Sequence, residues 1–135
     1  MPLPIENYAL IGDLHTGGLV GTDGSIDWLC LPRFDSPACL AALLGGPEHG
    51  RFSLAPRGGA RAVRRQYRDG TLVLETEFEA DGGAVTVVDC MPQREGPPVL
   101  GREVERERRG NESALASLDP ALRRSTSRAT GSGKL

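Results

Sequence analysis

The stretch GSIDWLCLPRFDSPA, residues 24–38, is crowded with side chains that could take part in chemistry. It contains the only tryptophan, one of three cysteines, one arginine and two aspartates, which are Trp28, Cys30, Arg33, Asp27 and Asp35. Two carboxylates can share the acid and base steps of glycoside hydrolysis. An acidic sequence offers many such pairs, however, and composition does not rank Asp27 with Asp35 above the others.

Two interpretations therefore stay open for this stretch. In the first, it is a structural corner in which Trp28 anchors the core and Arg33 pairs with Asp35. In the second, Trp28, Arg33 and Asp35 face a sugar-binding cleft or a second domain.

The remaining histidines and cysteines do not form a recognisable metal site. Metal ligands on one structural element have a regular spacing, and this spacing is not found among His15, His49, Asp13 and Cys39. Three widely spaced cysteines without a CxxC pair indicate neither a disulfide framework nor a zinc site. The segment GGLVGTDG precedes a predicted strand and lacks the lysine of a phosphate-binding loop. We predict no metal and no cofactor.

Composition excludes several classes of partner. The formal net charge is −2 and the pI is about 5.7, which gives no overall attraction to nucleic acid or to anionic membranes. The N-terminus, MPLPIENYAL, lacks the basic and apolar regions of a signal peptide. The cysteines, Cys30, Cys39 and Cys90, are interpreted as reduced thiols. We therefore expect a cytoplasmic protein with no nucleic-acid partner and no membrane partner.

The chain divides into two parts of different composition. All six aromatic residues precede residue 79. Residues 94–135 contain nine basic and six acidic residues and no aromatics, so they cannot bury enough apolar surface to offset their ordering entropy. We predict an incomplete β-sandwich domain over residues 1–93 and a disordered or weakly helical tail over residues 94–135. Short helical turns are expected around residues 103–109 and 114–124 because opposite charges fall three and four apart.

Short apolar runs bounded by turn residues predict β-strands in the first part. The predicted strands are 8–13, 17–21, 26–32, 50–56, 60–68, 71–80 and 84–92. Asp23-Gly24 and Asp69-Gly70 predict tight hairpin turns, because such turns need positive φ angles. Strand 71–80 alternates apolar and acidic side chains, as a half-buried strand does. The fold class is mainly β, a partial antiparallel β-sandwich.

One short helix is predicted among the strands, at about residues 36–45. Ser36 suits the N-cap position, Pro37 suits the first turn, and Gly45 or Gly46 could adopt the left-handed conformation that ends a helix. The buried stripe of this helix would be Cys39, Leu40, Leu43 and Leu44.

Two longer stretches resemble a known family. They are IENYALIGDLHTGGLVGTDGSIDWLCLPRFDSPACLAALLGGPEHGRFSLAP and YRDGTLVLETEFEADGGAVTVVDCMP, which together cover Ile5 to about Pro92. Both are similar to the N-terminal segment of bacterial glycoside hydrolase family 15 proteins, the glucoamylase- and trehalase-like enzymes. The resemblance implies a large antiparallel β-sandwich followed by a helical (α/α)6 barrel. In that family the barrel carries the two glutamates that cleave α-glucosidic bonds with inversion.

The resemblance stops near Arg94, so the barrel and its glutamates have no counterpart in this chain. Glu75, Glu77 and Glu79 are predicted to lie on a strand face and are not assigned that role. The resemblance therefore implies a truncated, non-catalytic N-terminal domain, and one hypothesis for the break in composition is a frameshift.

Two other interpretations remain. The first is a β-sandwich interaction module that binds a separate partner, such as a helical hydrolase domain, through the corner at Trp28 to Asp35. The second is a hydrolase that is active in its own right. The sequence leaves the oligomeric state open.

Overall fold

The computed structural model describes residues 2–56, 61–80, 83–107 and 114–118, and these residues form a mainly β fold. The strands are β1 Tyr8–Gly12, β2 Gly17–Gly21, β3 Ser25–Cys30, β4 Ala38–Leu40, β5 Phe52–Pro56, β6 Arg61–Tyr67, β7 Leu74–Ala80, β8 Gly83–Cys90, β9 Gly101–Glu107 and β10 Ala114–Leu118. Three short 3-10 helices accompany them, at Ile5–Asn7, Ala42–Leu44 and Pro47–His49. No helix within the described ranges is long and apolar enough to cross a membrane.

The strands form two antiparallel sheets, which confirms the predicted fold class. The first sheet has the order β1-β2-β3-β5-β10, with β4 also paired to β3. The second sheet has the order β6-β7-β8-β9. The hairpin turns at Asp23-Gly24 and Asp69-Gly70 are confirmed as well, with φ angles of 82° at Gly24 and 68° at Gly70.

Two apolar clusters hold the sheets together face to face. The larger cluster combines residues of the first sheet with one residue of β7 and the residue that follows β8. It consists of Ile11, Val20, Ile26, Leu29, Leu40, Leu74 and Met91. The smaller cluster consists of Leu54, Phe78 and Val87. Burying each large apolar side chain of this kind stabilises the fold by about 1.5–3 kcal/mol. The predicted alternation in β7 is confirmed, because Leu74, Thr76 and Phe78 are buried.

The helix predicted at residues 36–45 is wrong. Residues Ala38–Leu40 form strand β4, which pairs with the edge of β3 through Leu29 and Cys30. Only a 3-10 turn follows, and Leu44 is 73% exposed instead of buried. Ser36 does not cap a helix, since its hydroxyl accepts a hydrogen bond from the Arg33 amide at 3.1 Å. A segment this short nucleates a helix poorly, so pairing with an available strand edge prevails.

Part of the predicted tail also belongs to the fold. Residues Gly101–Glu107 form β9, which pairs with β8 along its whole length, and Ala114–Leu118 form β10, which pairs with β5. The helical turns predicted around 103–109 and 114–124 are therefore wrong where they overlap these strands. The edge of β8 has free backbone N–H and C=O groups. Hydrogen bonds to these groups favour a strand more than the weak helical preference of a charged segment favours a helix. Residues 108–113 and 119–135 lie outside the described part, and a domain boundary at residue 93 stays a prediction.

Two side chains of β6 bind backbone carbonyls of the first sheet and of the segment before β1. The Tyr67 hydroxyl donates a hydrogen bond to the Leu10 carbonyl at 2.8 Å. The Arg65 guanidinium donates to the carbonyls of Asn7 and Val20, and its burial lowers the pKa of Arg65. These bonds tie β6, at the edge of the second sheet, to the first sheet.

Candidate functional site

An open groove of about 560 Å³ lies where two loops meet the end of β8. One loop connects β1 to β2, and the other follows β3. The groove is lined by Leu14, His15, Pro32, Arg33, Phe34, Asp35 and Arg94. Its size falls within the range of about 300–1,000 Å³ that is usual for small-ligand pockets. The amide of Phe34 donates a hydrogen bond to the His15 carbonyl at 3.0 Å, which fixes the two loops relative to each other.

The wall of the groove presents two apolar side chains to solvent. Phe34 is 61% exposed and Leu14 is 77% exposed. Leu14 has a φ of 74°, a left-handed backbone conformation that costs a residue with a side chain about 1–2 kcal/mol. A strained backbone that holds an apolar side chain in water does not stabilise the fold. Such strain tends to occur at functional sites.

The position of Phe34 depends on the small residue beneath it. A Cβ added at Gly17 would lie 3.2 Å from Cε1 of the Phe34 ring and 3.0 Å from the Ile11 carbonyl oxygen. A side chain at Gly17 would therefore crowd both the Phe34 ring and the backbone of β1.

The floor of the groove is a buried ion pair between Asp13 and Arg94. The Arg94 guanidinium donates two hydrogen bonds to Oδ2 of Asp13, at 3.0 and 2.9 Å, and one to the Pro32 carbonyl at 2.5 Å. The amides of His15 and Thr16 donate to Oδ1 of Asp13, each at 2.9 Å. Burial by itself would raise the pKa of Asp13, but these amides and the guanidinium hold it below its usual value. The floor is thus a fixed, charge-balanced support.

Of the predicted site residues, the structure brings together Arg33 and Asp35. Nε of Arg33 lies 3.3 Å from Oδ1 of Asp35, and their side chains are 71% and 79% exposed. Such an exposed pair contributes little to stability. Trp28 lies on β3 opposite Leu19 of β2, is half-buried, and belongs to neither apolar cluster nor to the groove lining. Whether the three residues face a substrate or another domain stays a prediction.

Two further aspartates that could be mistaken for catalytic groups are also neutralised by arginine. Asp27 accepts hydrogen bonds from Arg51 at 2.6 and 3.1 Å and from the Tyr8 hydroxyl at 2.5 Å. Burial and the contact with Asp27 raise the pKa of Tyr8 to about 12. The aspartate pair considered in the sequence is thus divided, because Asp27 is enclosed in the fold while Asp35 lies in the groove.

The third neutralised aspartate is Asp89 on β8. It accepts hydrogen bonds from Arg102 of β9 at 2.5 and 3.3 Å, and both side chains are almost completely buried. Arg102 also donates to the carbonyls of Phe52 and Gly24, at 2.9 and 2.7 Å, and its guanidinium lies 4.9 Å from the centroid of the Phe52 ring. One arginine of the predicted tail therefore joins the two sheets.

The outer face of the second sheet carries the glutamates of β7. Glu75 accepts a hydrogen bond from Arg68 at 2.5 Å, which lowers the pKa of Glu75. Glu75 and Glu77 line a shallow polar depression together with residues of β6, β8 and β9. This agrees with their prediction as strand-face residues.

The cysteines and histidines are not gathered into a site. Cys30, Cys39 and Cys90 are free thiols, and burial raises the pKa of Cys39. Within the described ranges, no three histidine, cysteine, aspartate or glutamate side chains lie close enough to hold a metal ion.

Sequence reasoning missed the residues that build the groove. Asp13 and Arg94 are 81 positions apart, and Arg94 begins the segment that was expected to be a tail. The one signal available in advance was Asp13 in the turn GDLHTGG, because an aspartate before a turn accepts hydrogen bonds from the amides that follow it. No local sequence pattern predicted that the side chains of Leu14 and Phe34 would be exposed.

Comparison with known proteins assigns the chain to a family. The family described as "Trehalase-like, N-terminal" matches residues 1–123. A trehalase of Mycobacterium tuberculosis is 34% identical over 116 residues, or 86% of this chain and 16% of that protein. A trehalase of Mycolicibacterium smegmatis is 38% identical over 88 residues, or 65% of this chain and 13% of that protein. A trehalase of Thermoplasma volcanium is 35% identical over 104 residues, or 76% of this chain and 17% of that protein.

The chain thus spans only 13–17% of the length of these relatives. The family match extends past residue 93 and includes β9 and β10. No solved structure matches the chain.

Proposed function

Because the chain belongs to the trehalase-like N-terminal family, we propose that it is the non-catalytic β-sandwich domain of a family 15 glycoside hydrolase that acts on α-glucosidic bonds. The observation that carries this proposal is the family match over residues 1–123 within relatives of which the chain spans less than a fifth. Catalysis would then belong to residues outside the matched region of those relatives. That the chain is a truncated form stays a prediction.

The environment of the carboxylates supports a non-catalytic role. A glycoside hydrolase needs one carboxyl group that stays protonated and a second that is free to act as base. Among the described residues, the buried carboxylates Asp13, Asp27 and Asp89 are each bound by an arginine. The pKa of Glu75 is lowered by its bond to Arg68, whereas a general acid needs a raised one.

A chimera tests this function directly. Residues 1–123 of this chain would replace the matched N-terminal region of the Mycobacterium tuberculosis trehalase, and trehalose hydrolysis would be measured by glucose release. We expect the chimera to hydrolyse trehalose and the 135-residue chain alone to release no glucose from trehalose, maltose or dextrin. Glucose release by the chain alone that Asp35→Ala abolishes would overturn the proposal. A folded but inactive chimera would also contradict it.

A second candidate function is an interaction module that binds a separately encoded helical hydrolase domain. The exposed Leu14 and Phe34 favour it, because two large apolar side chains that line the same groove suit a contact surface. Co-purification of the chain with the helical part of a relative, supplied as a separate protein, would support this candidate. A chain that elutes alone under those conditions would exclude it.

We also propose a cytoplasmic location and a role in carbohydrate metabolism. The free thiols of Cys30, Cys39 and Cys90 support a reducing compartment. Fractionation of cells with an antibody against the chain would test the location.

A further inference from the structure

We propose that the groove between Leu14 and Phe34 binds one neutral sugar ring, with Phe34 and Leu14 against the ring face and Arg33, Asp35 and His15 at its hydroxyls. This inference rests on the proposed function, which is a non-catalytic domain of a glycoside hydrolase. It adds to that domain a site that binds sugar.

The charges around the groove indicate that its ligand is neutral. Arg33 is paired with Asp35 at 3.3 Å, and Arg94 is paired with Asp13 at 2.9 Å. The ionised side chains therefore cancel in pairs. A phosphate or carboxylate would find no uncompensated cation, since the Arg94 guanidinium is already committed to Asp13 and to the Pro32 carbonyl.

The polar groups of the groove match hydroxyls. Arg33 only donates hydrogen bonds, and ionised Asp35 only accepts them. A hydroxyl group is both donor and acceptor, so neighbouring hydroxyls on a sugar ring can use both members of the Arg33–Asp35 pair. A ligand with donors alone or acceptors alone would satisfy only one of them.

The apolar groups match the ring face of a sugar. One face of a pyranose presents C–H groups, which pack well on the electron-rich face of an aromatic ring. The Phe34 ring lies against Gly17, and the backbone of Phe34 is fixed by the hydrogen bond from its amide to the His15 carbonyl. Leu14 extends the apolar surface on the other loop.

The strain at Leu14 is a second, independent observation. A leucine with a φ of 74° and a 77% exposed side chain is unfavourable both for the backbone and for hydration. Binding of an apolar ring face would cover this side chain and offset the hydration part of that cost.

A binding experiment tests the groove with the complete 135-residue chain. The probes are methyl α-glucopyranoside and trehalose, followed through the backbone amide signals in nuclear magnetic resonance spectra. We expect millimolar affinity, as is usual for few contacts on an open surface. The shifted signals should be confined to residues 13–17, 33–36 and the neighbourhood of Arg94. Sorbitol is the control ligand, because it has the hydroxyls of a hexose without a ring face.

Two substitutions separate binding from folding. Phe34→Ala should weaken binding by about three- to tenfold, the size expected for loss of one aromatic contact. Leu14→Gly removes the apolar side chain and relieves the backbone strain, so it should weaken binding without lowering the melting temperature. Leu44→Ala is the matched control, because Leu44 is as exposed as Leu14 but does not line the groove.

Several results would overturn the sugar site. The first is that sorbitol shifts the amide signals as much as the two sugars do. The second is that the sugars shift only signals outside the two loops. The third is that Phe34→Ala binds the sugars with unchanged affinity. A Leu14→Gly variant that melts at a lower temperature and binds sugar normally would show that Leu14 is structural, which also counts against the site. The chimera distinguishes the two proposals. If the chimera hydrolyses trehalose and neither sugar shifts the loop signals of the 135-residue chain, the domain assignment stands and the groove assignment fails.

Discussion

Arg94 donates two hydrogen bonds to Oδ2 of Asp13 across a sequence separation of 81 residues. The pair supports the loop that carries Leu14 and, through the Pro32 carbonyl, the loop that carries Phe34. It is one of three buried aspartate–arginine pairs among the described residues, beside Asp27–Arg51 and Asp89–Arg102. A buried pair is strongly destabilising when one partner is removed, since the other charge is left without compensation.

Substitution of Arg94 by methionine should therefore lower the free energy of unfolding by about 3 kcal/mol or more, because Asp13 is left buried and unpaired. Urea denaturation of the 135-residue chain measures the change. Arg33→Met is the matched control, and its exposed pair with Asp35 predicts a change within about 0.5 kcal/mol. The double variant Asp13→Asn with Arg94→Met should recover part of the loss. Equal effects of the two single arginine variants would contradict this account.

Shortening the chain to residues 1–93 should abolish cooperative thermal unfolding. This change removes Arg94, strand β9 and Arg102, and so leaves Asp13 and Asp89 without their arginines. A chain of residues 1–118 keeps all described contacts and should melt as the full chain does. Circular dichroism during heating compares the three. If residues 1–93 melt cooperatively at the same temperature as the full chain, the predicted boundary at residue 93 is a true domain boundary.

Tyr8 should make stability depend on alkaline pH. Its pKa is raised from 10.0 to about 12 by burial and by the contact with Asp27. The folded state therefore favours the protonated phenol, so the contribution is complete below pH 10 and is lost as the pH rises towards 12. Tyr8→Phe should flatten this alkaline loss and cost about 1 kcal/mol at neutral pH through the lost hydrogen bond.

Absorbance of tyrosinate during an alkaline titration checks the assignment. The transition near pH 12 should vanish in Tyr8→Phe and persist in Tyr67→Phe. A high-pH transition that survives the removal of Tyr8 would show that another group is responsible.

Two glycines in hairpin turns should respond differently to alanine. Gly24 has a φ of 82°, and a Cβ there would lie 2.3 Å from the Leu54 carbonyl oxygen. Gly70 has a φ of 68° with no atom within 4 Å of the added Cβ. Gly70→Ala should cost about 1 kcal/mol from backbone strain alone, and Gly24→Ala should cost clearly more because β5 must move. Urea midpoints compare the two variants, and equal costs would refute the steric part of the argument.

The fold class and most strands could be predicted from the sequence, because alternation is a local property. In β7, Leu74, Thr76 and Phe78 point inward whatever strand they meet, and Asp23-Gly24 forces a turn wherever it occurs. The family resemblance over residues 5–92 was visible for the same reason, since it rests on contiguous strings. The match over residues 1–123 confirms a trehalase-like N-terminal domain and extends it beyond residue 92.

Only the tertiary structure decided where the charged residues lie. Residues 36–45 carry local helix signals, yet β4 forms because an edge of β3 is free beside it. Arg94 and Arg102 lie in a segment with the composition of a solvated tail, yet each enters the fold to neutralise a buried aspartate. A charged side chain is expected to be exposed when only its own sequence segment is considered. An oppositely charged side chain 81 or 13 residues away can pair with it and so allow it to be buried. The same long-range contacts create the groove, whose loops come from separate hairpins, so no local pattern could predict it.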